Sequence, residues 1–300
     1  MTQILCLDTH HDGVPGAIAV YVVLGPEPTL VDPGPATVRP RVLESLRAQG
    51  IPPGDIRHIC VTHVHLDHAG SAGAWVAEYP DIAVHVHEEA ALHLVDPRRL
   101  VVSTRRTFGD AHDRLWGRVV PVPAHAIRAV RPGEVGPFRW LRALHTPGHI
   151  EQHLAYLHEV SGTLFSGDSM GILLGREAPV HPPTPPPTLD LAAWLGTLRE
   201  IEAVAPEQVG ATHFGLHREV KARAAELRTA LLDLASRAEG AMERGREEED
   251  AEAFQEETIE RLRRHRPNDE VERYFTAFSA ANDYRGMVRY LRRNPDWSGA

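Results

Sequence analysis

The chain has 300 residues, 42% apolar and 24% charged, which excludes a disordered, collagen-like or coiled-coil protein. Its 32 Lys and Arg residues against 41 Asp and Glu residues leave a formal charge of −9, which disfavours non-specific nucleic-acid binding. The longest apolar stretch, residues 17–24, is far shorter than the ~18 residues of a membrane span. With no recognisable secretory signal and only two cysteines, we expect a cytoplasmic protein. The 19 histidines stand out, because imidazole is the commonest metal ligand.

The first 215 residues or so show short strands alternating with helices. Strands are predicted over 17–24 and 29–31, paired across the turn at 25–28, and a helix is predicted over 36–49. A small-residue helix is expected to begin at Ala69. Further strands are expected over 57–62, 82–86, 138–144, 153–158 and 162–166.

The rest of the chain has a different character. Residues 179–187 contain six prolines, which predicts a stiff, extended connector. From residue 218 onward Arg, Glu, Ala and Leu dominate, so we divide the chain into a first domain over 1–217 and a helical region over 218–300. Nine carboxylates in 243–260 indicate a solvated helix surface. Aromatic residues near the end are spaced like a packed helix face, at Tyr274, Phe275, Phe278, Tyr284 and Tyr290.

A cluster of metal-ligand residues follows the strand at 57–62. His63, His65, Asp67 and His68 lie within six residues. A loop at a strand end can bend so that His63 and His65 face one ion while Asp67 and His68 face another. Imidazole and carboxylate suit zinc. Four ligands do not fill two tetrahedral sites, so further ligands are expected downstream.

Three downstream motifs offer such ligands. His149 ends Thr-Pro-Gly-His, Asp168 ends Ser-Gly-Asp, and His213 follows Ala-Thr. Each motif follows an apolar or small-residue run, so each is expected at the same edge of a sheet. His145 competes with His149, and His217 with His213, but the Pro147-Gly148 turn and the strand-like run before His213 favour the first of each pair. We interpret His153 as a packing or supporting residue, and His85, His87 and His93 as surface or helix-capping residues.

In this order, with Asp32 in Val-Asp-Pro-Gly, these motifs resemble the metallo-β-lactamase superfamily over about residues 3–217. The resemblance implies an α/β fold, a four-layer αβ/βα sandwich with metals at one rim, here with a C-terminal helical appendage. It places His63, His65 and His149 on a first metal and Asp67, His68 and His213 on a second, with Asp168 bridging. Asp32 would hold the ligand loop by hydrogen bonds.

The implied cofactors are two divalent ions, zinc first, with iron or manganese as alternatives. Ions about 3.5–4 Å apart share a hydroxide whose pKa has fallen towards ~7, and this hydroxide attacks an electrophilic carbonyl or phosphorus. With one ion only, Asp67 would act as general base. A rival motif, Gly167-Asp-Ser-Met-Gly171, fits a nucleophile elbow, with Ser169, Asp190 and His213 in the order of an acyl-serine esterase. That interpretation leaves the other motifs unexplained.

The favoured function is a dinuclear hydrolase of an ester-like bond, with a thioester of the hydroxyacylglutathione type ahead of a lactone. Ile150-Glu-Gln-His153 departs from the Thr or Ser and Gly-His usual in that group, and its glutathione-binding basic residues have no counterpart on 218–300. A mononuclear iron persulfide dioxygenase and an RNA-processing nuclease are further alternatives. We expect a small-molecule substrate, no nucleic-acid or membrane partner, and the C-terminal helices as a candidate contact with a second copy. The connector and these helices should line the substrate pocket, through Met170 and His181 among others.

Overall fold

Two β-sheets form the centre of the computed structural model, which describes residues 3–131, 140–175 and 177–297. In the first sheet six strands lie in chain order, antiparallel from β1 to β3 and parallel from β3 to β6. In the second sheet the order is β11-β10-β9-β8-β7, and only β9 and β10 are parallel neighbours. The strands are β1 Gln3–Asp8, β2 Ala19–Leu24, β3 Thr29–Val31, β4 His58–Cys60, β5 Ala83–His87, β6 Ile127–Val130, β7 Leu141–His145, β8 Leu154–His158, β9 Thr163–Gly167, β10 Gln208–Ala211 and β11 Gly215–His217.

Helices cover the outer faces of both sheets. Six follow the strands of the first sheet, one precedes β10, and four make up the C-terminal region. The helices are α1 Arg39–Ala48, α2 Leu66–Ala69, α3 Ala72–Glu78, α4 Ala91–Val95, α5 Arg98–Phe108, α6 His112–Trp116, α7 Leu191–Val204, α8 Val220–Arg244, α9 Glu247–Arg263, α10 Asn268–Ala277 and α11 Ala280–Arg293. In the part of the chain that the structure describes, no helix combines the length and the apolar composition needed to cross a bilayer.

Three layers of apolar side chains define the sandwich. Tyr21 and Cys60 of the first sheet pack against Tyr156 and Phe165 of the second, so the two sheets face each other. The other face of the first sheet packs on α1 and α3, through Leu46 and Trp75 among others. The other face of the second sheet packs on α7, α8 and α11. Strands buried on both faces form continuous apolar runs, as in Ala19–Leu24. The predicted four-layer αβ/βα sandwich is confirmed.

The C-terminal helices share a hydrophobic core with the second sheet. Leu164 and Val209 of that sheet belong to the same buried cluster as Leu231 of α8 and Met287 of α11. The predicted aromatic residues are packed as expected, and only Phe278 among them is half-buried. The acidic stretch is largely exposed, but Arg237 and Arg285 pair with it across the helices. The division of the chain at residue 217 stays a prediction.

Most predicted elements are present, with local corrections. The strand predicted over 57–62 covers only His58–Cys60, because the chain then bends into the histidine loop. The helix predicted over 36–49 begins with a single 3-10 turn before α1. The sequence analysis did not predict the strands β1, β6 and β11 or the helices α4, α5, α6 and α7. Residues 138 and 139 of the predicted strand 138–144 lie outside the described residues.

Candidate metal centre

Five loops meet at one edge of the sandwich, and each follows the carboxyl end of a strand. Asp32 follows β3, and the loop of His63 to His68 follows the parallel neighbour β4. His149, Asp168 and His213 follow β7, β9 and β10, which run in one direction through the second sheet. Backbone bonds join the sheets here: the Leu154 amide donates to the Thr62 carbonyl at 2.8 Å. The seven predicted ligands are therefore gathered at this edge.

The first ligand group contains three imidazoles. Nδ1 of His65 lies 2.9 Å from Nε2 of His63 and 3.0 Å from Nε2 of His149. Oδ2 of Asp168 lies 3.3 Å from Nε2 of His149 and 4.0 Å from Nε2 of His63. Two ring nitrogens can share only one proton, so this convergence of nitrogen atoms leaves lone pairs directed at a common point.

The second ligand group is built around Asp67. Its Oδ2 lies 3.1 Å from Nε2 of His213 and 3.4 Å from Nε2 of His68. Oδ1 of Asp168 lies 3.2 Å from Nε2 of His68 and 3.7 Å from Nε2 of His213. One carboxylate oxygen of Asp168 thus faces each group, and Asp168 stands between them.

Asp32 lies behind the second group and organises the histidine loop. Its Oδ2 accepts hydrogen bonds from Nδ1 of His68 at 2.7 Å and from the hydroxyls of Thr62 and Thr212 at 2.8 Å. Its Oδ1 accepts from the Thr62 amide at 2.8 Å. The residue is fully buried and connects loops of both sheets. Because Asp32 binds Nδ1 of His68, the other ring nitrogen, Nε2, points at the second ligand group.

Other histidines are oriented in the same way. Nδ1 of His149 donates to the Pro183 carbonyl at 2.8 Å, and Nδ1 of His213 donates to the Ala17 carbonyl at 3.1 Å. The Tyr274 hydroxyl of α10 lies 3.3 Å from the same atom of His213. Such outer hydrogen bonds select the tautomer and ring orientation in metal sites. Three histidines therefore have Nε2 left for an ion.

Two glycines and His153 support the ligand loops. A Cβ on Gly148 would lie 2.3 Å from Cβ of Trp194, and one on Gly167 would lie 2.5 Å from Oγ1 of Thr62. Both glycines also have positive φ, so other residues are disfavoured directly before His149 and Asp168. The Asp168 amide donates to Nε2 of His153 at 3.2 Å, while Nδ1 of His153 bonds the Thr146 hydroxyl at 2.8 Å. His153 thus supports the Asp168 loop.

The electrostatics of the site keep Asp67 and Asp168 ionised and His63 and His65 neutral. Burial and neighbouring imidazoles lower the pKa of His63 well below its usual value, and burial lowers the pKa of His65 to about 4. Burial opposes ionisation of Asp67 and Asp168, but His68 and other histidines hold the pKa of both carboxyls well below its usual range. The pKa of His68 is raised by the three carboxylates around it, against the effect of burial. Neutral imidazoles and ionised carboxylates are the protonation states that bind metals.

The residues fit divalent metal ions. The two groups comprise His63, His65, His149 and Asp168, and Asp67, His68 and His213, and within each group the candidate ligand atoms lie within 4.8 Å of one another. Nε2 of His68 and Oδ1 of Asp168 are buried and lie 3.2 Å from each other, but among the described residues neither atom makes a hydrogen bond of good geometry. Buried polar atoms of this kind are costly unless another partner satisfies them. An ion between the ligands would provide that partner.

Several histidines considered in the sequence lie elsewhere. Nε2 of His145 lies 2.9 Å from the Glu151 carbonyl oxygen, and His217 bonds the Phe214 carbonyl, so neither joins the groups. The interpretation of His85 as a surface residue is wrong: it is buried beside His58, with a nitrogen contact of 3.1 Å. His87 is also buried, and it accepts from the Glu89 amide as a helix cap. His93 is exposed as expected.

The proposed pocket contacts are also corrected. Met170 is fully buried in the core against α7 and α8, and His181 is buried against Asp283. Ser169 is buried, and its hydroxyl donates to the Ser166 carbonyl at 2.8 Å. Asp190 caps α7 by accepting from the Ala193 amide. Ser169 and Asp190, which an acyl-serine mechanism would need, are therefore engaged in structural hydrogen bonds.

The sequence pattern did not reveal the outer partners from distant segments, namely Pro183 and Tyr274. Pro183 acts through its carbonyl oxygen, which every residue type has, so no sequence signal marks it. Tyr274 appeared only as a member of an aromatic helix face. Phe278, next to it in space, packs on His213 with ring centres 4.7 Å apart.

Comparison with known proteins identifies relatives of this chain. The profile of the metallo-beta-lactamase superfamily matches residues 13–213. The probable metallo-hydrolase YqjP of Bacillus subtilis is 30% identical over 179 residues, 51% of this chain and 52% of that protein. The atrochrysone carboxyl ACP thioesterase of Aspergillus fumigatus is 23% identical over 150 residues, 50% of this chain and 26% of that protein.

A solved structure shows the same fold over nearly the whole chain. The metallo-beta-lactamase family protein TTHA1429 of Thermus thermophilus superposes with a TM-score of 0.64 at 22% identity, covering 97% of this chain and 94% of that one. By contrast, this chain spans about half the length of the curated relative YqjP. The family profile alone covers more than half of the chain. The chain belongs to the metallo-beta-lactamase superfamily.

Proposed function

We propose that this protein is a metal-dependent hydrolase that holds two divalent ions at the edge of its sandwich. The position of Asp168 carries the proposal: one carboxylate oxygen lies 3.3 Å from His149 in the first group, and the other lies 3.2 Å from His68 in the second. His63, His65 and His149 would hold one ion and Asp67, His68 and His213 the other, with Asp168 bridging. The mixture of imidazole and carboxylate favours zinc, with iron or manganese as competitors.

The substrate would approach from the side of His65 and Asp67. His65 is half-buried and Asp67 is 8% exposed, whereas the other five proposed ligands are at most 3% exposed. Oδ2 of Asp67 faces His68 and His213, so its second oxygen is left to accept a hydrogen bond from the attacking water and orient it. Ions bound here would activate water at neutral pH and polarise the carbonyl oxygen of the substrate.

A thioester is the favoured bond. The histidines hold the pKa of Asp67 and Asp168 well below its usual range, so these carboxyls carry no proton to donate at neutral pH. A thiol has a pKa of ~8.5, so a thiolate leaves without a strong acid to protonate it. The relative from Aspergillus fumigatus named as a carboxyl ACP thioesterase supports the same class of bond. A lactone is the alternative within this chemistry.

Metal content and hydrolysis should be measured on one sample. Protein purified without chelator should contain about two divalent ions per chain and should hydrolyse a thioester in a panel that also includes lactones, phosphodiesters and β-lactams. His149→Ala should lose metal and activity. His145→Ala is the matched control, because His145 lies only four residues earlier and outside both groups. Full activity with one ion per chain, or equal effects of the two substitutions, would refute the dinuclear site.

A further inference from the structure

The segment of residues 181–184 crosses behind the ligand His149. Its Pro183 carbonyl accepts the hydrogen bond from Nδ1 of His149 at 2.8 Å, in a buried environment. The position of this carbonyl therefore decides where Nε2 of His149 points. The residues that hold this segment in place therefore help to position a proposed metal ligand.

The segment of residues 181–184 has few backbone N–H groups that can donate hydrogen bonds. Pro182 and Pro183 have no N–H group, so neither can be anchored through its own amide. At one end His181 pairs with Ile172 through two backbone hydrogen bonds of 2.9 and 3.1 Å. At the other end the next available amide is that of Thr184, and it donates to a side chain rather than to a strand.

That side chain is Asp283 of α11, in the C-terminal region. Its Oδ1 accepts from the Thr184 amide at 2.8 Å, and its Oδ2 accepts from Nε2 of His181 at 2.7 Å. The Thr184 hydroxyl donates in return to the Asp283 backbone carbonyl at 2.8 Å. Asp283 is 5% exposed. One buried carboxylate thus binds both sides of the Pro182-Pro183 pair.

Backbone contact reinforces this docking. Gly286 lies one turn after Asp283 on α11, and a Cβ there would lie 1.7 Å from the Thr184 carbonyl oxygen and 2.9 Å from the backbone of Pro185. Only glycine lets the helix approach so closely. The Asp283 and Gly286 face of α11 is therefore shaped to hold this segment.

We propose that Asp283 is a positioning residue for the metal ligand His149, acting through Thr184, His181 and the Pro183 carbonyl. The C-terminal helical region would thereby help to build the metal centre, although all seven proposed ligands precede it. This inference rests on the proposed metal site. It assigns α11 a role that neither its charge nor its helical pattern indicates.

The test compares metal binding in the full chain and three variants. The dissociation constants for Zn²⁺ are measured by competition with a chromogenic chelator, and ligand geometry by the visible spectrum of the Co²⁺-loaded protein. Asp283→Ala should weaken binding of at least one ion by about tenfold or more, as loss of outer partners does elsewhere, and should alter the cobalt spectrum. Asp283→Asn should restore most of both, because its amide oxygen can still accept from Thr184.

Asp250→Ala is the matched control for a general loss of stability. Asp250 pairs with Arg237 between α8 and α9 and is not bonded to the 181–184 segment. It should lower the melting temperature without changing the zinc affinity or the cobalt spectrum. If Asp283→Ala behaves like Asp250→Ala, Asp283 only stabilises the fold and the inference is wrong.

A measurement on the unmodified protein covers the case in which Asp283→Ala does not fold. If metal binding is coupled to the contacts of Asp283 with the 181–184 segment, loading with Zn²⁺ should slow hydrogen exchange in peptides from 181–190 and 280–293 more than in α9. Equal changes in all of these would overturn the inference. The proposed function fails separately, if the unmodified chain binds no metal. Normal metal binding with these negative results refutes the role of Asp283 alone.

Discussion

The two sheets supply their ligands in different ways. The first sheet places four proposed ligands in one loop, from His63 to His68, and supports them with Asp32 from the neighbouring strand end. The second sheet supplies one ligand from each of three loops, namely His149, Asp168 and His213. Two of these three are supported by atoms from elsewhere in the chain, the Pro183 and Ala17 carbonyls.

The contrast shows two solutions to one geometric problem. A single loop brings several ligands together at the cost of a tightly bent backbone, and one buried carboxylate can hold it. Separate loops need no such bend, but each depends on the packing of the whole second sheet and its helices. The first half of the site should therefore respond to local substitutions and the second half to distant ones.

The largest effect is expected where the two ligand groups meet, at Asp168. Asp168→Ala should reduce the metal content from about two ions per chain to one or none and abolish hydrolysis, because one oxygen of this residue faces each group. Elemental analysis and turnover of the best substrate measure this. His213→Ala, which removes a ligand of one group only, should spare the other ion. Two retained ions in Asp168→Ala would show that each ligand group binds its metal without Asp168.

A substitution of Asp32 tests how the histidine loop of the first sheet is held in place. Asp32→Ala should lower the free energy of unfolding of the metal-free protein by about 3–5 kcal/mol, since it leaves buried donors and the buried His68 without their partner. Asp32→Asn should cost less, because an amide oxygen still accepts from Thr62. Urea denaturation measures both. A small effect of Asp32→Ala would mean that the histidine loop is held by packing.

The pH dependence of the first sheet is tested at His85, away from the ligands. Burial lowers its pKa to about 3 in the folded protein, against ~6.5 in the unfolded chain. Between these values the unfolded chain binds a proton that the folded protein does not, so stability is fully present above pH ~6.5 and falls as the pH decreases. One such group contributes up to about 1.4 kcal/mol per pH unit.

His85→Asn should remove this contribution from the acid side of the stability curve. Urea denaturation between pH 4 and 7 measures the slope, with His93→Asn as the control because His93 is exposed. An unchanged slope in His85→Asn would mean that another group, such as the neighbouring His58, accounts for the acid sensitivity.

The smallest effect is expected at Ser169, directly after Asp168 in the second sheet. Ser169→Ala removes one buried hydrogen bond to the Ser166 carbonyl, which should lower the free energy of unfolding by about 1 kcal/mol. Metal content and kcat/KM should stay close to those of the unmodified protein. Loss of activity with normal metal content would restore the acyl-serine mechanism.

Sequence information alone was sufficient to predict the fold class and the ligands of the first sheet. Residues 63–68 are close in sequence, so they must be close in space, and their residue types already indicate metal. His149, Asp168 and His213 were predicted from the short runs and turns that precede them and from the resemblance, because their separation along the chain carries no geometric information. The apolar runs and the charged stretch after residue 218 indicated individual strands and a helical region for the same local reason, whereas the four layers were implied by the resemblance to the superfamily.

The atoms that support the ligands, and the histidines that belong to the core, become known only from the three-dimensional packing. His85 is buried because β4 and β5 pair side by side, a relation that the sequence around either residue does not contain. Met170 and His181 face the core rather than a pocket because α7, α8 and α11 pack over them. The bond from His149 to Pro183 joins residues 34 apart, and Asp283 lies a further 99 residues along the chain from Thr184. Contacts at such separations depend on how layers pack, and packing is a property of the whole chain rather than of any segment.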